Sequence, residues 1–221
     1  MTREENASRR PLKSRETKWA AAMARNLARA GFRPNLISIA SVGFAAASAV
    51  CLWFAGHAER DWCWSLLMVL AAAGIQLRLL CNLLDGMVAI EGGFKTSSGE
   101  LFNELPDRFS DALIFVGAAY SIPLFDWTRE LGWTAAVLAV ITAYSRALGA
   151  AMGAGQAFIG PMAKPQRMAV MTGGCLAAAL APAWSLLAQA IPLALAVVVV
   201  GCFITVFRRC RRITKRMESR C

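Results

Sequence analysis

Residues 34 to 58 and 168 to 207 contain no Asp, Glu, Lys or Arg. Charge-free runs of this length constrain the chain more than any other feature, because about 20 consecutive apolar residues cross a bilayer as a helix. In lipid the backbone must also satisfy its own hydrogen bonds, which leaves helices or closed barrels. The rest of the chain shares the bias: 57% of residues are hydrophobic and 17% charged, against roughly 25% charged in soluble domains. These values point to an all-α integral membrane protein.

Apolarity predicts six transmembrane helices, at roughly residues 35–55, 63–90, 98–122, 131–153, 166–183 and 186–207. The second and third are interrupted by polar groups at one end. Ahead of them, ETKWAAAMARNLARAGF is too polar to span; its mixture of Trp19, Met23, Leu27 and Phe32 with Lys18, Arg25 and Arg29 predicts an amphipathic helix lying in the interface. The expected organisation is therefore a basic N-terminal arm and interfacial helix (residues 1–33), a six-helix membrane domain (34–207) and a basic tail (208–221).

Nine basic residues between Arg3 and Arg33, and seven more in RRCRRITKRMESR, place both termini in the cytoplasm. The loops IEGGFKTSSG and GAGQAFIGPMAKPQR then face inward, while GHAERDW, PLFDWTRE and PAW face outward. Much of the net charge of +10 is thereby explained by topology and attraction to anionic lipid, with no need for a nucleic-acid partner. The seven Cys are scattered without a C-x-x-C pair and read as small apolar fillers.

Against this background, NLLDGMVAIEGGFKTSSGELFNELPDRFSD at 82–111 is out of place. On a helix advancing 100° per residue, Arg78, Asn82, Asp85 and Ala89 share one face. Glu100, Asn103, Glu104, Asp107 and Asp111 share a face of the next helix, so two polar stripes are expected to meet at the cytoplasmic edge of the bundle. Some of these groups have structural readings. Ser97 and Glu100 fit a capping box, Arg78 could neutralise Asp85, and Arg108 could snorkel. The acids Asp85, Asp107 and Asp111 are harder to dismiss, because clustered carboxylates at membrane depth repel one another unless a cation is present. Oxygen-rich sets of this kind suit Mg²⁺ or Mn²⁺ together with phosphate, and Gly86, Gly92, Gly93 and Gly99 allow close approach to the backbone.

The spacing resembles the signature of the CDP-alcohol phosphotransferase family, D-x-x-D-G-x-x-A-R-x8-G-x-x-x-D-x-x-x-D. This chain supplies Asn82, Asp85, Gly86, Ala89, Ile90, Gly99, Asn103 and Asp107 in unbroken register. It departs from the pattern at three positions: Asn82 and Asn103 stand where the family has Asp, and Ile90 stands where it has Arg. RPNLIS at 33–38, YSRALG at 144–149 and MAKPQR at 162–167 are similar to further elements of the family. The resemblance implies cleavage of a CDP-linked lipid or alcohol such as CDP-diacylglycerol, release of CMP, and transfer of the substituted phosphate to the hydroxyl of a polar alcohol.

Carried over position by position, the resemblance implies that Asn82, Asp85 and Asn103 hold Mg²⁺ or Mn²⁺, and that Asp107 is a further ligand, the general base, or both. Asn35, Gly86, Ala89, Gly99 and Arg78 would lie against the nucleotide. Asp111, Arg146, Lys164 and Arg167 are candidates for substrate contact. It further implies a homodimer, while the Lys and Arg asymmetry puts the site toward the cytoplasm of what is expected to be a bacterial inner membrane, among membrane lipids. An Asn carbonyl can ligate a hard cation but brings no charge, so this site has lost two negative charges relative to the family pattern. A relative that binds CDP-lipid without turnover is the alternative reading.

Overall fold

The computed structural model describes residues 17–94, 99–122 and 127–219, and every element among them is helical. In chain order these are α1 (Lys18–Arg29), α2 (Pro34–Ala55), α3 (Asp61–Glu91), α4 (Gly99–Ala119), α5 (Trp127–Ala151), α6 (Lys164–Ala179), a 3₁₀ turn (Ser185–Gln189) and α7 (Ala190–Glu218). The six helices from α2 onward coincide with the six apolar segments. Among the described residues four stretches are long and apolar enough to cross a membrane: α2, α3, α5 and the segment Ser185–Glu218. Of the other two, α4 carries Glu104, Asp107, Arg108 and Asp111, and α6 has 16 residues, about 24 Å at 1.5 Å per residue. Ser97, Lys95 and the arm before Thr17 lie outside the described residues, as does the side chain of Glu100.

Local chemistry sets the ends that matter for the site. Arg33 is extended and Pro34 opens α2, a position where the missing N–H costs nothing and φ is already helical. Pro165 does the same for α6. At the other end of α3 the chain leaves the helix through Gly93, at φ 65°, a left-handed conformation that glycine adopts without strain. The boundary expected at residue 207 falls inside α7, which continues unbroken to Glu218.

The packing order is a closed ring: α2 against α3, α3 against α6, α6 against α7, α7 against α5, α5 against α4, and α4 back against α2. Met68, Ile75, Phe115, Leu138, Met168, Met171, Leu195 and Val198 fill its interior. The outer surface is apolar as well, with Val50, Trp53, Val69, Val137, Leu193, Phe203 and Phe207 exposed, far more apolar surface than a soluble protein leaves uncovered. At one end, α1 lays Ala20 and Ala24 against Leu84, Met87 and Val88 of α3.

Close approach of α2 and α4 depends on Gly117, where an added Cβ would stand 2.6 Å from the Ala49 Cα and 2.9 Å from its carbonyl oxygen. Those are backbone atoms, so the helices would have to separate. Gly117→Ala is expected to destabilise the protein by about 1–3 kcal/mol, read as a lower unfolding midpoint in detergent. Gly43→Ala, where nothing lies within 4 Å, should be neutral or stabilising, because alanine is the better helix former.

Candidate active site

Among the described residues, Asn35, Arg78, Asn82, Asp85, Asn103, Glu104, Asp107, Asp111, Arg146, Lys164 and Arg167 gather at one end of the ring. That end is built from the start of α2, the last turns of α3, the first turns of α4, the end of α5, the start of α6 and the C-terminal half of α7. Here α3 and α4, which are only slightly in contact along their lengths, are joined by side chains. Arg78 is fully buried, and its Nη2 lies 2.6 Å from Asp111 Oδ1 and 3.3 Å from Asp107 Oδ1. The two acids are one helical turn apart, so a single guanidinium reaches both.

Helix α6 closes the cluster from the other side. Lys164 Nζ is 2.5 Å from Asp107 Oδ2, and Arg167 Nη2 is 2.5 Å from Asp111 Oδ2. Arg167 also donates from Nη1 to the Met162 carbonyl at 3.2 Å and to Thr142 Oγ1 at 3.3 Å. Both oxygens of Asp111 are thus held by arginines, and Asp107 lies between an arginine and a lysine. The repulsion expected between clustered acids is relieved by the protein's own cations. Arg78, considered in the sequence as a neutraliser of Asp85, crosses to α4 instead.

Asp85 is 3% exposed and accepts a hydrogen bond from Ser38 Oγ at 2.7 Å. Ser38 ends the RPNLIS segment that resembles the family, so its position was visible in the sequence although no role had been assigned to it. The other carboxylate oxygen, Asp85 Oδ1, is buried without a partner. Asn82, one turn before it, is half-buried, and its Nδ2 is buried and unpartnered too. Gly86, Ala89, Gly99, Asn103 and Asn35 are half-buried around the same end.

Arg146 stands apart from Lys164 and Arg167. Its Nη2 is 2.6 Å from Glu104 Oε1 and its Nη1 donates to Gln156 Oε1 at 2.8 Å. Arg108 lies 3.3 Å from Glu104 Oε2 and 3.9 Å from Asp107 Oδ2, so it is tied into the network rather than extended to the interface. Arg209 was read in the sequence only as part of a basic tail. It is 4% exposed, and it donates to the Ile159 carbonyl at 3.1 Å and to the Thr142 carbonyl. With Arg216, which donates to the Ala154 carbonyl at 2.6 Å, it braces the loop that delivers Lys164.

A divalent cation can be tested against these donors. Among the described residues no three His, Cys, Asp or Glu side chains converge as a metal site. Of the four motif positions, Asp107 is engaged by Lys164 and Arg78. Asp85 is different: a buried carboxylate oxygen without a partner is costly and is the donor a hard cation takes. The Asn82 amide can present its oxygen by turning over, since its two ends are nearly alike in shape. The donors fit one cation at Asp85, with Asn82 beside it. Arg78 Nε, Arg78 Nη1 and Arg167 Nε are also buried and unpartnered, so the cluster holds N–H groups of the kind that bind an anion.

No protein-family model matches the chain. A curated phosphatidylinositol phosphate synthase from Mycobacteroides abscessus is 26% identical to it over 177 residues, 75% of this chain and 72% of that protein. The crystal structure of the Mycobacterium tuberculosis phosphatidylinositol phosphate synthase with CDP-DAG bound matches with a TM-score of 0.72 at 22% identity, over 89% of this chain and 94% of that one. The chain is similar to these synthases in sequence and shares their fold. The same M. tuberculosis enzyme in complex with manganese and citrate matches with a TM-score of 0.71, again at 22% identity, over 88% of each chain. The fold of the M. tuberculosis enzyme therefore extends over nearly the whole of this chain, beyond residues 82–107.

Proposed function

We propose that the protein is a membrane enzyme of phospholipid synthesis. In this reading it transfers a phosphatidyl, or other substituted phosphate, group from CDP-diacylglycerol or a related CDP-alcohol to the hydroxyl of a polar alcohol. The observation that supports the proposal is the joining of the two helices that carry the motif: Arg78 of α3 bridges Asp107 and Asp111 of α4, at the same end as Asp85 with its unpartnered oxygen.

The chemistry would run as follows. The acceptor oxygen forms a bond to the lipid-linked phosphorus, the bond from that phosphorus to the CMP oxygen breaks, and the electron pair leaves with CMP. Asp107, whose carboxylate has more lone pairs than its two partners occupy, takes the hydroxyl proton. Arg78 and Lys164 face the phosphates with positive charge, and preorganised charge of this kind is worth most where water is excluded. Gly86 and Gly99 leave space for the nucleotide. When bound at Asp85 and Asn82, Mg²⁺ or Mn²⁺ would neutralise the pyrophosphate and the departing CMP. Asp111, with both oxygens held, positions Arg78 and Arg167. All six helices from α2 to α7 would span the membrane with α1 at its surface, the site toward the cytoplasm of a bacterial inner membrane and the protein a homodimer.

The test is to incubate the protein, purified into lipid nanodiscs, with labelled CDP-diacylglycerol, a panel of polar alcohols and Mg²⁺ or Mn²⁺. The expected result is CMP release that requires one of the alcohols, with a product of the corresponding mass. CDP-lipid that binds yet yields no CMP with any acceptor or metal would replace the proposal by a binding role. Transport of a solute into vesicles without CMP release would replace it by a transporter.

A further inference from the structure

We infer that Lys164 serves as a resident cation at Asp107, and that the site consequently binds a single divalent ion, at Asp85. This deepens the proposed function and rests on it only in locating the metal at the same site. Asp107 Oδ2 has the Lys164 ammonium at 2.5 Å and Oδ1 has Arg78 Nη2 at 3.3 Å. A metal at Asp107 would have to share that carboxylate with two positive groups. Asp85 Oδ1 has no hydrogen-bond partner, and Lys164 acts on that carboxylate only from a distance.

Charge decides how many ions the site can hold. Asp85, Asp107 and Asp111 bring three negative charges, and Arg78, Lys164 and Arg167 bring three positive charges. These six groups are neutral among themselves, and Arg108, 3.9 Å from Asp107, and the buried Arg209 add positive charge that tightens the limit further. One divalent cation raises the sum of the six to two positive charges, which a pyrophosphate diester with two negative charges would balance. A second divalent cation would leave two positive charges uncompensated in a site of low effective dielectric. Had Asn82 and Asn103 been Asp, those two charges would have been met, so the two Asn and the lysine are consistent parts of one arrangement.

Lys164 is well placed for this duty. Its side chain is 24% exposed, so it comes from the rim of the site. It opens α6 after a loop whose carbonyls are gripped by Arg209 and Arg216. A lysine ammonium is a compact point charge, unlike the broad fork of an arginine.

The experiment is Mn²⁺ binding to the purified full-length protein in nanodiscs, without any CDP-lipid, read from the electron paramagnetic resonance signal of free Mn²⁺. The wild type is expected to bind one Mn²⁺ per chain, and Asp85→Asn to weaken that binding at least tenfold. Lys164→Gln, which removes the charge from Asp107, should tighten Mn²⁺ binding at least tenfold or add a second Mn²⁺; Lys164→Arg should keep the single site. Two Mn²⁺ or none on the wild type would overturn the inference, as would a folded Lys164→Gln protein that binds like the wild type. The wild-type count decides the matter even where the glutamine variant does not fold. None of these readings depends on turnover, so a protein with one Mn²⁺ and no CMP release would refute the proposed function and leave this inference standing.

Discussion

Replacing Asp111 with Asn is expected to cost about 3–5 kcal/mol of stability, the usual result of removing one partner from a buried ion pair. Asp111 is 1% exposed, with Arg78 at 2.6 Å on one oxygen and Arg167 at 2.5 Å on the other. The neutral amide leaves Arg167 with Thr142 Oγ1 and the Met162 carbonyl as partners and with no opposing charge. In a protein of this size the loss corresponds to roughly 10 °C in unfolding midpoint, which intrinsic tryptophan fluorescence in detergent would record. The paired change Asp111→Leu with Arg167→Met should cost less than the single one, because no unmatched charge is then left behind. If the double variant is the less stable of the two, the pair contributes net attraction rather than merely avoiding a buried charge.

The ring of helices was legible in the sequence because apolarity depends only on local composition. All six segments from α2 to α7 were found within a few residues, apart from α7, where the sequence was divided at the change from apolar to basic residues although the helix itself continues. The polar stripes were legible for a similar reason: spacings of three and four fix a helical face wherever the helix packs. Partnership was not legible. Lys164 and Asp107, Arg167 and Asp111, and Ser38 and Asp85 lie 57, 56 and 47 residues apart, and only the order of packing around the ring determines which of them meet. The suggestion that Arg78 neutralises Asp85 followed the helix face but ignored length: seven residues rise about 10 Å, whereas the acids of α4 stand directly across. Arg209 was hidden for another reason. In RRCRRITKR six of nine positions are basic, and only the stripe Arg209, Ile213 and Arg216 on the inner side marks which of the cations turn inward.

Asp107→Asn should show the opposite pattern to Asp111→Asn, although the two residues are one turn apart and the chemical change is the same. The amide keeps the size of the carboxylate and retains an oxygen for Lys164, while Arg78 still has Asp111 at 2.6 Å. Lys164, 24% exposed, is not left charged in a dry interior. Little stability should therefore be lost. What the amide lacks is the ability to take a proton. If Asp107 is the base that deprotonates the acceptor hydroxyl, CMP release should fall by roughly 10² or more, as general-base contributions typically run from about 10² to 10⁴, while CDP-lipid binding persists. Asp61→Asn, exposed at the far end of α3, should change neither quantity. Parallel loss of CDP-lipid binding and turnover would mean that Asp107 acts through Lys164 on the phosphates and that the acceptor's proton leaves by another route; a large drop in unfolding midpoint would mean that Lys164 and Arg78 depend on its charge for the fold itself.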